Sequence, residues 1–252
     1  MKGLKRYSHN DRQRVIEEMI PLIQRKFGDN LLALAASASY ARNEDTDYSD
    51  LELTAFVKEM PAGQRRGGMG KIRDGLLVEL IWMTRETYLE DTREVTYNWY
   101  IAGSDTLLPI INKAFIDDLN SYNVENLAEK CLAQAIRRWH DVQESTAKVL
   151  NAVLVGNRES IPLLLFDMLL HMLIVLSFLN QTPYITFARF ITQARSFNIK
   201  PESFEALLDI VVQGQYQELE RLHETVVTVF SQFETIFEGL GIELYDQDVD
   251  PN

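Results

Sequence analysis

The feature that most limits the possible folds is an almost wholly apolar run of 19 residues, Ile161–Leu179. This is close to the length that a helix needs to cross a bilayer. Asp167 and His171 interrupt the run at a spacing of four, on one helical face, where both would be costly in lipid. Pro162 suits the first turn of a helix. The run therefore predicts the buried central helix of a bundle, with a membrane span as the alternative.

The N-terminal part of the chain, up to about residue 105, carries short apolar runs rich in strand-forming residues. A helix is predicted through residues 15–27, with Asn10 or Asp11 as its N-cap and Gly28 at its end. The strands predicted after this helix are residues 31–37, 51–57 and 75–83.

Two linkers separate these strands. A polar turn over residues 41–50 joins the first strand to the second. The second linker, residues 61–70 (PAGQRRGGMG), is rich in glycine, and we interpret it as a mobile surface loop. A phosphate-binding loop is the alternative, but no Lys-Ser pattern of the P-loop type follows these glycines.

After about residue 105 the apolar residues are spaced for long helices. The predicted helices are residues 123–155, 160–179, 201–212 and 215–239. Their short connections indicate a C-terminal bundle of four or five helices. The predicted fold class is α+β, with a mixed sheet and helices in a domain of residues 1–120 and a helical domain in residues 121–252.

Charge and cysteine content exclude several kinds of function. The chain has 25 Lys+Arg and 37 Asp+Glu, a formal net charge of −12, whereas binding to nucleic-acid phosphates needs a basic face. The same acidity is consistent with a cationic substrate or partner. A single cysteine, Cys131, excludes an intramolecular disulfide framework and a Cys-based zinc site, which favours a reducing, cytoplasmic location. The basic N-terminal segment is not followed by an apolar run, so no signal peptide is expected.

The residues that best suggest chemistry are acids in the predicted strands. Asp50 and Glu52 flank Leu51, so the two carboxylates project from one face of a strand while Leu51 faces the other side. Carboxylates placed in this way are suitable ligands for Mg²⁺. Glu79 lies in the apolar run of the next strand and reaches the same face if the strands pair. A solvated strand face is the alternative for the first two acids, but a charge inside an apolar strand needs a partner or a cation.

The turn before these acids has a recognisable form. Ala38-Ser39 follows an apolar run, and Asp50-Leu51-Glu52 begins eleven residues after Ser39. This order resembles the signature of the DNA polymerase β-type nucleotidyltransferase superfamily. There a Gly-Gly or Gly-Ser turn binds triphosphate oxygens, and the carboxylates hold metal ions that bridge those phosphates. Ala38 departs from the pattern, since the superfamily has glycine there and alanine restricts positive φ.

Within the superfamily, nearly the whole chain resembles the kanamycin nucleotidyltransferase family of aminoglycoside 4′-O-nucleotidyltransferases. The likeness is most specific around the first motif and weaker in the C-terminal part. The matching segments are Ser39-Tyr-Ala-Arg42, Tyr48-Ser-Asp50-Leu-Glu52, Val78-Glu79-Leu80, Trp99 and Glu144-Ser-Thr-Ala-Lys148.

The resemblance implies a role for each of these segments. The catalytic residues that it implies are Asp50 and Glu52, as Mg²⁺ ligands, and Glu144, as the general base. The residues implied in binding ATP or another NTP are Ser39, Arg42 and Lys148. The residues implied on the side of the acceptor substrate are Glu79, Trp99 and Glu144.

The resemblance also implies a reaction and an assembly. A nucleoside monophosphate would pass from ATP or another NTP to a hydroxyl of a cationic aminoglycoside, with release of pyrophosphate. The enzyme would be a homodimer whose subunits share the active sites. No nucleic-acid or membrane partner is expected.

Several alternatives stay open at this point. The acceptor could be a lincosamide or a protein hydroxyl, and the chain could be a non-catalytic interaction protein on the same fold. Glu144 and Lys148, four residues apart on a helix, could form only a surface ion pair. His140, one turn before Glu144, is a second candidate for the base. Glu79 could contact either the metal or the acceptor.

Overall fold

The computed structural model describes residues 3–245, and the chain divides into two compact units, residues 1–125 and 126–252. The first unit combines a five-stranded mixed sheet with helices, and the elements described in the second are helices. The predicted α+β fold class is confirmed.

The sheet of the first unit has the strand order β3-β4-β2-β1-β5. β2 and β4 are parallel, and every other neighbouring pair is antiparallel. The strands are β1 Leu31–Ala36, β2 Leu51–Val57, β3 Arg66–Arg73, β4 Leu76–Met83 and β5 Leu108–Ile111. The three strands predicted from the sequence are β1, β2 and β4, and each is confirmed to within one residue.

Helices cover both faces of this sheet. The helices of the first unit are α1 His9–Phe27, α2 Ala38–Ala41, α3 Arg85–Thr92, α4 Trp99–Ala102 and α5 Lys113–Asn120. α1 buries Ile16 and Ile23 on one face, and α3 contributes Tyr88 and α5 Ile116 to the core on the other. Because β2 is covered on both sides, every residue of this strand is buried except Glu52, which is half-buried.

Helix α1 begins earlier than predicted. Its N-cap is Ser8, rather than Asn10 or Asp11. The Ser8 hydroxyl accepts a hydrogen bond from the Asp11 N–H, and the Asp11 carboxylate accepts one from the Ser8 N–H (2.9 Å). This reciprocal arrangement satisfies two N–H groups, whereas a single capping side chain satisfies one. Gly28 ends the helix as predicted, with a φ of 51°.

Two strands differ from the prediction. Residues 61–70 are not a mobile loop throughout, because residues 66–70 belong to β3, which pairs with β4 along its whole length. A Cβ built on Gly67 would lie 2.2 Å from the Trp82 ring, so packing in a strand, and not loop flexibility, requires this glycine. β5 has no predicted counterpart; it is four residues long, contains Pro109 and lies at the sheet edge, where proline is tolerated.

The part of the second unit that the structure describes, residues 126–245, is a bundle of five α-helices, in agreement with the predicted four or five. The helices are α6 Leu127–Leu154, α7 Ile161–Leu179, α8 Phe190–Ser196, α9 Phe204–Gln213 and α10 Leu219–Gly239. α8 has no predicted counterpart, since seven residues are too few to show a clear helical period.

α7 is the apolar run that limited the choice of folds. Among residues 3–245 it is the one helix that is long and apolar enough to cross a membrane. It packs against α6, and 61% of its most apolar window is buried inside the unit. This burial agrees with the predicted central helix of a bundle.

Candidate active site

Three carboxylates meet on one face of the sheet. Glu52 on β2 lies opposite Glu79 on the parallel strand β4. Asp50, two residues before Glu52, projects to the same side. One oxygen of each carboxylate lies within 4.8 Å of the others, and all three residues are half-buried. We refer to Asp50, Glu52 and Glu79 as the acidic cluster.

The charges of the acidic cluster repel one another. The pKa of Glu52 is raised to about 7, first by burial and then by the charges of Asp50, Asp105 and Glu79. The positive charge of Arg42 acts in the opposite direction. A divalent cation among the carboxylates would remove this repulsion. Because their oxygens are the hard ligands that Mg²⁺ prefers, the residues fit an ion of this type.

Asp105 is a fourth acid near the cluster, and sequence reasoning missed it. Leu108 on β5 pairs with Ala36, which also pairs with Leu53 on β2. The segment before β5 therefore lies at the end of the sheet where β2 begins. Asp105 accepts a hydrogen bond from the Tyr88 hydroxyl (3.0 Å), and burial raises its pKa. The residue stands in a loop, outside any acidic-apolar pattern, so no sequence signal points to it.

The turn after β1 lies at the same end of the sheet as the acidic cluster. The Ser37 N–H donates to the Glu52 C=O (3.1 Å), which ties the start of the turn to β2. α2 then carries Ser39, which is half-exposed, and is followed by Arg42, whose Nε donates to Glu44 (3.0 Å). The structure thus places Ser39 and Arg42, two of the three residues predicted to bind the nucleotide, at the end of the sheet that carries the acids. The third, Lys148, lies on α6 in the second unit.

Ala38 adopts a backbone conformation that favours glycine. Its φ is 54°, in the left-handed region, which costs a residue with a Cβ about 1–2 kcal/mol. We expect Ala38→Gly to raise the free energy of unfolding by about 0.5–1 kcal/mol, after allowance for the larger entropy of glycine in the unfolded chain. Urea denaturation measures the change. Ala41→Gly, in the same short helix but without positive φ, is the control and should lower the free energy of unfolding. A lower free energy of unfolding in both variants would contradict backbone strain at Ala38.

Glu144 and Lys148 lie on α6, in the second unit. Their side chains form an ion pair (Nζ–Oε1 2.8 Å) and are 68% and 50% exposed, respectively. The hydrogen bond from Lys148 lowers the pKa of Glu144, and the same bond raises the pKa of Lys148. Both groups are therefore charged and accessible. His140, the second candidate base, contacts Asp141 on the same helix (3.0 Å).

Trp99 lies in the interior of the first unit. It begins α4 and is 4% exposed. A Cβ at Gly103 would lie 2.6 Å from the indole nitrogen, which shows how closely the chain packs around the ring. An acceptor would reach this ring only if that packing opened, so the substrate-binding role of Trp99 stays a prediction.

Comparison with known proteins covers both units. The KNTase C-terminal domain family matches residues 121–243. The chain is 22% identical to proteins named Aminoglycoside nucleotidyltransferase (4′) from a Bacillus species and from Staphylococcus aureus. Each match extends over 233 residues and covers 87% of this chain and 87% of the relative.

Two further matches have a shorter overlap or a lower identity. A Methanocaldococcus jannaschii protein named "Putative protein adenylyltransferase" is 31% identical over 68 residues, which are 27% of this chain and 45% of that protein. This chain therefore spans less than half the length of that relative. A nucleotidyltransferase-like protein from Exiguobacterium sibiricum has a similar fold, with a TM-score of 0.50 at 12% identity, over 89% of this chain and 75% of that one.

The matches and the fold agree with each other. The family domain covers the helical unit, and the two longer matches extend through the sheet that carries the acids. These comparisons support the kanamycin nucleotidyltransferase-like family for this chain and an enzyme of the nucleotidyltransferase type.

Proposed function

We propose that the chain transfers a nucleoside monophosphate from ATP, or another NTP, to a hydroxyl of an aminoglycoside antibiotic and releases pyrophosphate. The observation that carries this proposal is the acidic cluster, whose oxygens lie within 4.8 Å of one another. It is supported by two relatives, matched over 87% of this chain, that are named as aminoglycoside nucleotidyltransferases. Modification of such an antibiotic would make the chain a resistance enzyme.

Asp50 and Glu52 are the proposed ligands of Mg²⁺. When bound, the ion supplies positive charge that polarises the α-phosphate and stabilises the departing pyrophosphate. Glu79 faces the same space from β4. It serves either as a third ligand or as a contact for the cationic acceptor.

The turn after β1 is the proposed triphosphate site. Ser39 and the N–H groups of the turn donate hydrogen bonds to phosphate oxygens. Arg42 neutralises phosphate charge, and to do so it exchanges its present partner, Glu44. These residues orient the α-phosphorus for in-line attack, and we expect orientation and charge neutralisation to supply most of the catalysis.

Glu144 is the proposed general base. The acceptor oxygen forms a bond to the α-phosphorus, the bond from that phosphorus to the pyrophosphate oxygen breaks, and the hydroxyl proton passes to the Glu144 carboxylate. Because Lys148 lowers the pKa of Glu144, the base stays ionised at neutral pH. To neutralise charge on the nucleotide phosphates, Lys148 exchanges its ion pair with Glu144 for a phosphate oxygen, and the exposed Glu144 carboxylate remains ionised at neutral pH without it.

A cationic acceptor suits the electrostatics of the chain. Aminoglycosides carry several ammonium groups, which half-buried carboxylates and a net charge of −12 attract. The same net charge opposes binding of nucleic acid. A protein hydroxyl is the second candidate acceptor, because the shorter match is to a protein named for protein adenylylation.

The proposed assembly is a homodimer whose two subunits share the active sites. The proposed location is the cytoplasm. The second unit exposes large apolar side chains at the end of α6, in the first half of α7 and in the loop after α7, and such side chains supply apolar surface for association. They are Leu154, Val155, Leu163, Phe166 and Phe187. No membrane partner is proposed, since most of the apolar helix α7 is buried in the bundle.

The experiment that tests the function is a panel of acceptors incubated with Mg²⁺ and ATP labelled at the α-phosphate. We expect kanamycin and tobramycin to acquire the label and lincomycin to remain unlabelled, with mass spectrometry identifying the added nucleoside monophosphate. Labelling of protein alone would replace the aminoglycoside by a protein acceptor. No transfer to any acceptor would favour the non-catalytic alternative.

Glu79→Gln in the same assay separates the two roles of this acid. If Glu79 contacts the acceptor, the KM for the aminoglycoside rises more than the KM for ATP. If Glu79 is a third metal ligand, kcat falls and the KM for the acceptor changes little. Unchanged constants would leave Glu79 without a role in the reaction.

A further inference from the structure

The loop that leads to the acidic cluster is held by one buried side chain of α1. Arg12 is fully buried, and its guanidinium uses all five N–H groups. Nη1 donates to the Tyr7 C=O (2.8 Å) and the Asp45 carboxylate (2.9 Å). Nη2 donates to the C=O groups of Thr46 (2.8 Å) and Ser49 (2.6 Å), and Nε also donates to the Ser49 C=O (3.2 Å).

Three of these acceptors lie in the loop between α2 and β2, residues 42–50. The loop begins at Arg42, in the proposed nucleotide site, and ends at Asp50, in the acidic cluster. The Ser49 C=O, which receives two of the bonds from Arg12, belongs to the peptide bond that leads directly into Asp50. The guanidinium therefore restrains the backbone that carries the first carboxylate.

Neighbouring residues of the same segment hold the loop as well. The Asp45 carboxylate has a second contact, with Nδ1 of His9 (2.7 Å), and the His9 ring stacks on Tyr40 with centroids 4.3 Å apart. The Tyr7 N–H donates to the Asp47 C=O (2.8 Å). Residues 7–12 thus hold the loop both at its centre and beside α2.

Stability alone gives a weak reason for this arrangement. The ion pair between Arg12 and Asp45 is almost completely buried, and the cost of removing such charges from water offsets most of their attraction. Loop carbonyls that are shielded from water need donors. A planar guanidinium with five donors satisfies several of them in one fixed geometry, which a lysine does not do. The arrangement therefore selects one conformation of the loop.

We propose that Arg12 is a positioning residue for the reaction. It fixes the peptide bond between Ser49 and Asp50, and through it the Asp50 carboxylate beside Glu52. The inference rests on the proposed function in one respect, namely that Asp50 is a ligand of a divalent cation. It assigns α1, which lies outside every motif that suggests chemistry, a part in metal affinity.

Arg12→Lys tests this role, because lysine keeps the charge but offers three donors instead of five. In the metal-free protein, amide hydrogen exchange in the loop should become faster while exchange in β2 stays slow. The dissociation constant of Mn²⁺, used as a paramagnetic probe and measured by electron paramagnetic resonance, should rise by about 10-fold or more. Turnover should fall at low metal concentration and recover as the concentration is raised.

Arg138→Lys is the matched control, because Arg138 is a buried arginine of the second unit. It should lower thermal stability without changing the Mn²⁺ dissociation constant or the exchange of the loop. If Arg12→Lys does not fold, Asp45→Asn removes one charged acceptor of Arg12 and should also raise the Mn²⁺ dissociation constant.

Two outcomes separate the proposals from each other. Equal Mn²⁺ affinity in the wild type and in the folded variant, Arg12→Lys or Asp45→Asn, would overturn the positioning role and leave the proposed function intact. Mn²⁺ binding that Asp50→Asn does not weaken would overturn the metal role of Asp50, and the proposed function with it.

Discussion

Asp50→Asn and Glu52→Gln are each expected to lower kcat by about 10³-fold or more. Each substitution removes one negative charge from the acidic cluster and preserves the shape of the side chain. The site then binds the cation less tightly. The charge of this cation stabilises the α-phosphate and the pyrophosphate. Initial rates of pyrophosphate release, measured at saturating ATP and acceptor over a range of Mg²⁺ concentrations, give the change in kcat.

Although Glu52→Gln should lose activity, its stability is not expected to fall. In the metal-free protein, burial and the charges of its neighbours disfavour the ionised form of Glu52 and raise its pKa to about 7. Glu52→Gln removes that charge, so its melting temperature without metal should equal or exceed that of the wild type. A loss of activity without a loss of stability identifies a functional charge rather than a structural one.

Asp47→Asn is the matched control for both variants. Asp47 lies in the same loop as Asp50, its side chain is 59% exposed, and its carboxylate contacts Arg6 (3.5 Å). The same change of charge at this position should leave turnover near that of the wild type. Near-normal turnover in Asp50→Asn or Glu52→Gln, with the fold intact, would contradict the proposed role of the acidic cluster.

The acidic cluster is the part of the site that the sequence predicts best, because alternation along a strand is a local property. Leu51 separates Asp50 from Glu52, and the strand that begins at Leu51 has the predicted bounds. The prediction for Glu79 depended on pairing between the strands that carry Glu52 and Glu79, which the sequence alone does not establish. The parallel register of β2 and β4 places it opposite Glu52.

Elements without a local signal were missed, and the reasons are physical. β3 is an edge strand whose residues are exposed or half-buried on both faces, so it lacks the alternation of apolar residues that marks a strand. Asp105 reaches the site only because β5 pairs with β1, a contact between segments about 70 residues apart. Ser8 lies several residues before the first apolar residue of the α1 pattern, so that pattern did not identify it as the N-cap.

Ala38 shows how a departure from a family pattern is accommodated. The sequence predicts that an alanine restricts positive φ at this position, and the structure nevertheless places it at 54°. The hydrogen bond from the Ser37 N–H to the Glu52 C=O, together with the turn of α2, holds the backbone in this conformation. Strain of this kind persists where surrounding contacts determine the geometry, as they do in catalytic sites.

The second large effect is the activity expected when two inactive variants are mixed, and it depends on which subunit supplies the general base. Glu144 lies on α6 in the second unit, and the acidic cluster lies in the first. In the family that this chain resembles, the partner subunit completes the active site. If Glu144 acts in this way, Asp50→Asn and Glu144→Gln subunits are each inactive alone but active when mixed.

The recovery expected on mixing follows from counting sites. In a heterodimer, one site combines the intact Asp50 of one subunit with the intact Glu144 of the other, and the second site carries both substitutions. Random exchange between equal amounts of the two subunits makes half of the dimers heterodimers, each with one good site of two. Activity should therefore rise from near zero to roughly a quarter of the wild-type value, provided the dimer has closed two-fold symmetry.

The control for this experiment is exchange itself, which native mass spectrometry of isotopically labelled subunits verifies. A mixture of Asp50→Asn with Glu52→Gln is the matched negative case, because both changes fall in the same acidic cluster and no combination of subunits restores it. If verified heterodimers stay as inactive as the single variants, the base does not come from the partner. Glu144 would then act within its own chain, or only as half of a surface ion pair with Lys148. The activity of the Glu144→Gln protein separates these two cases, since only a base that acts in catalysis lowers kcat when its charge is removed.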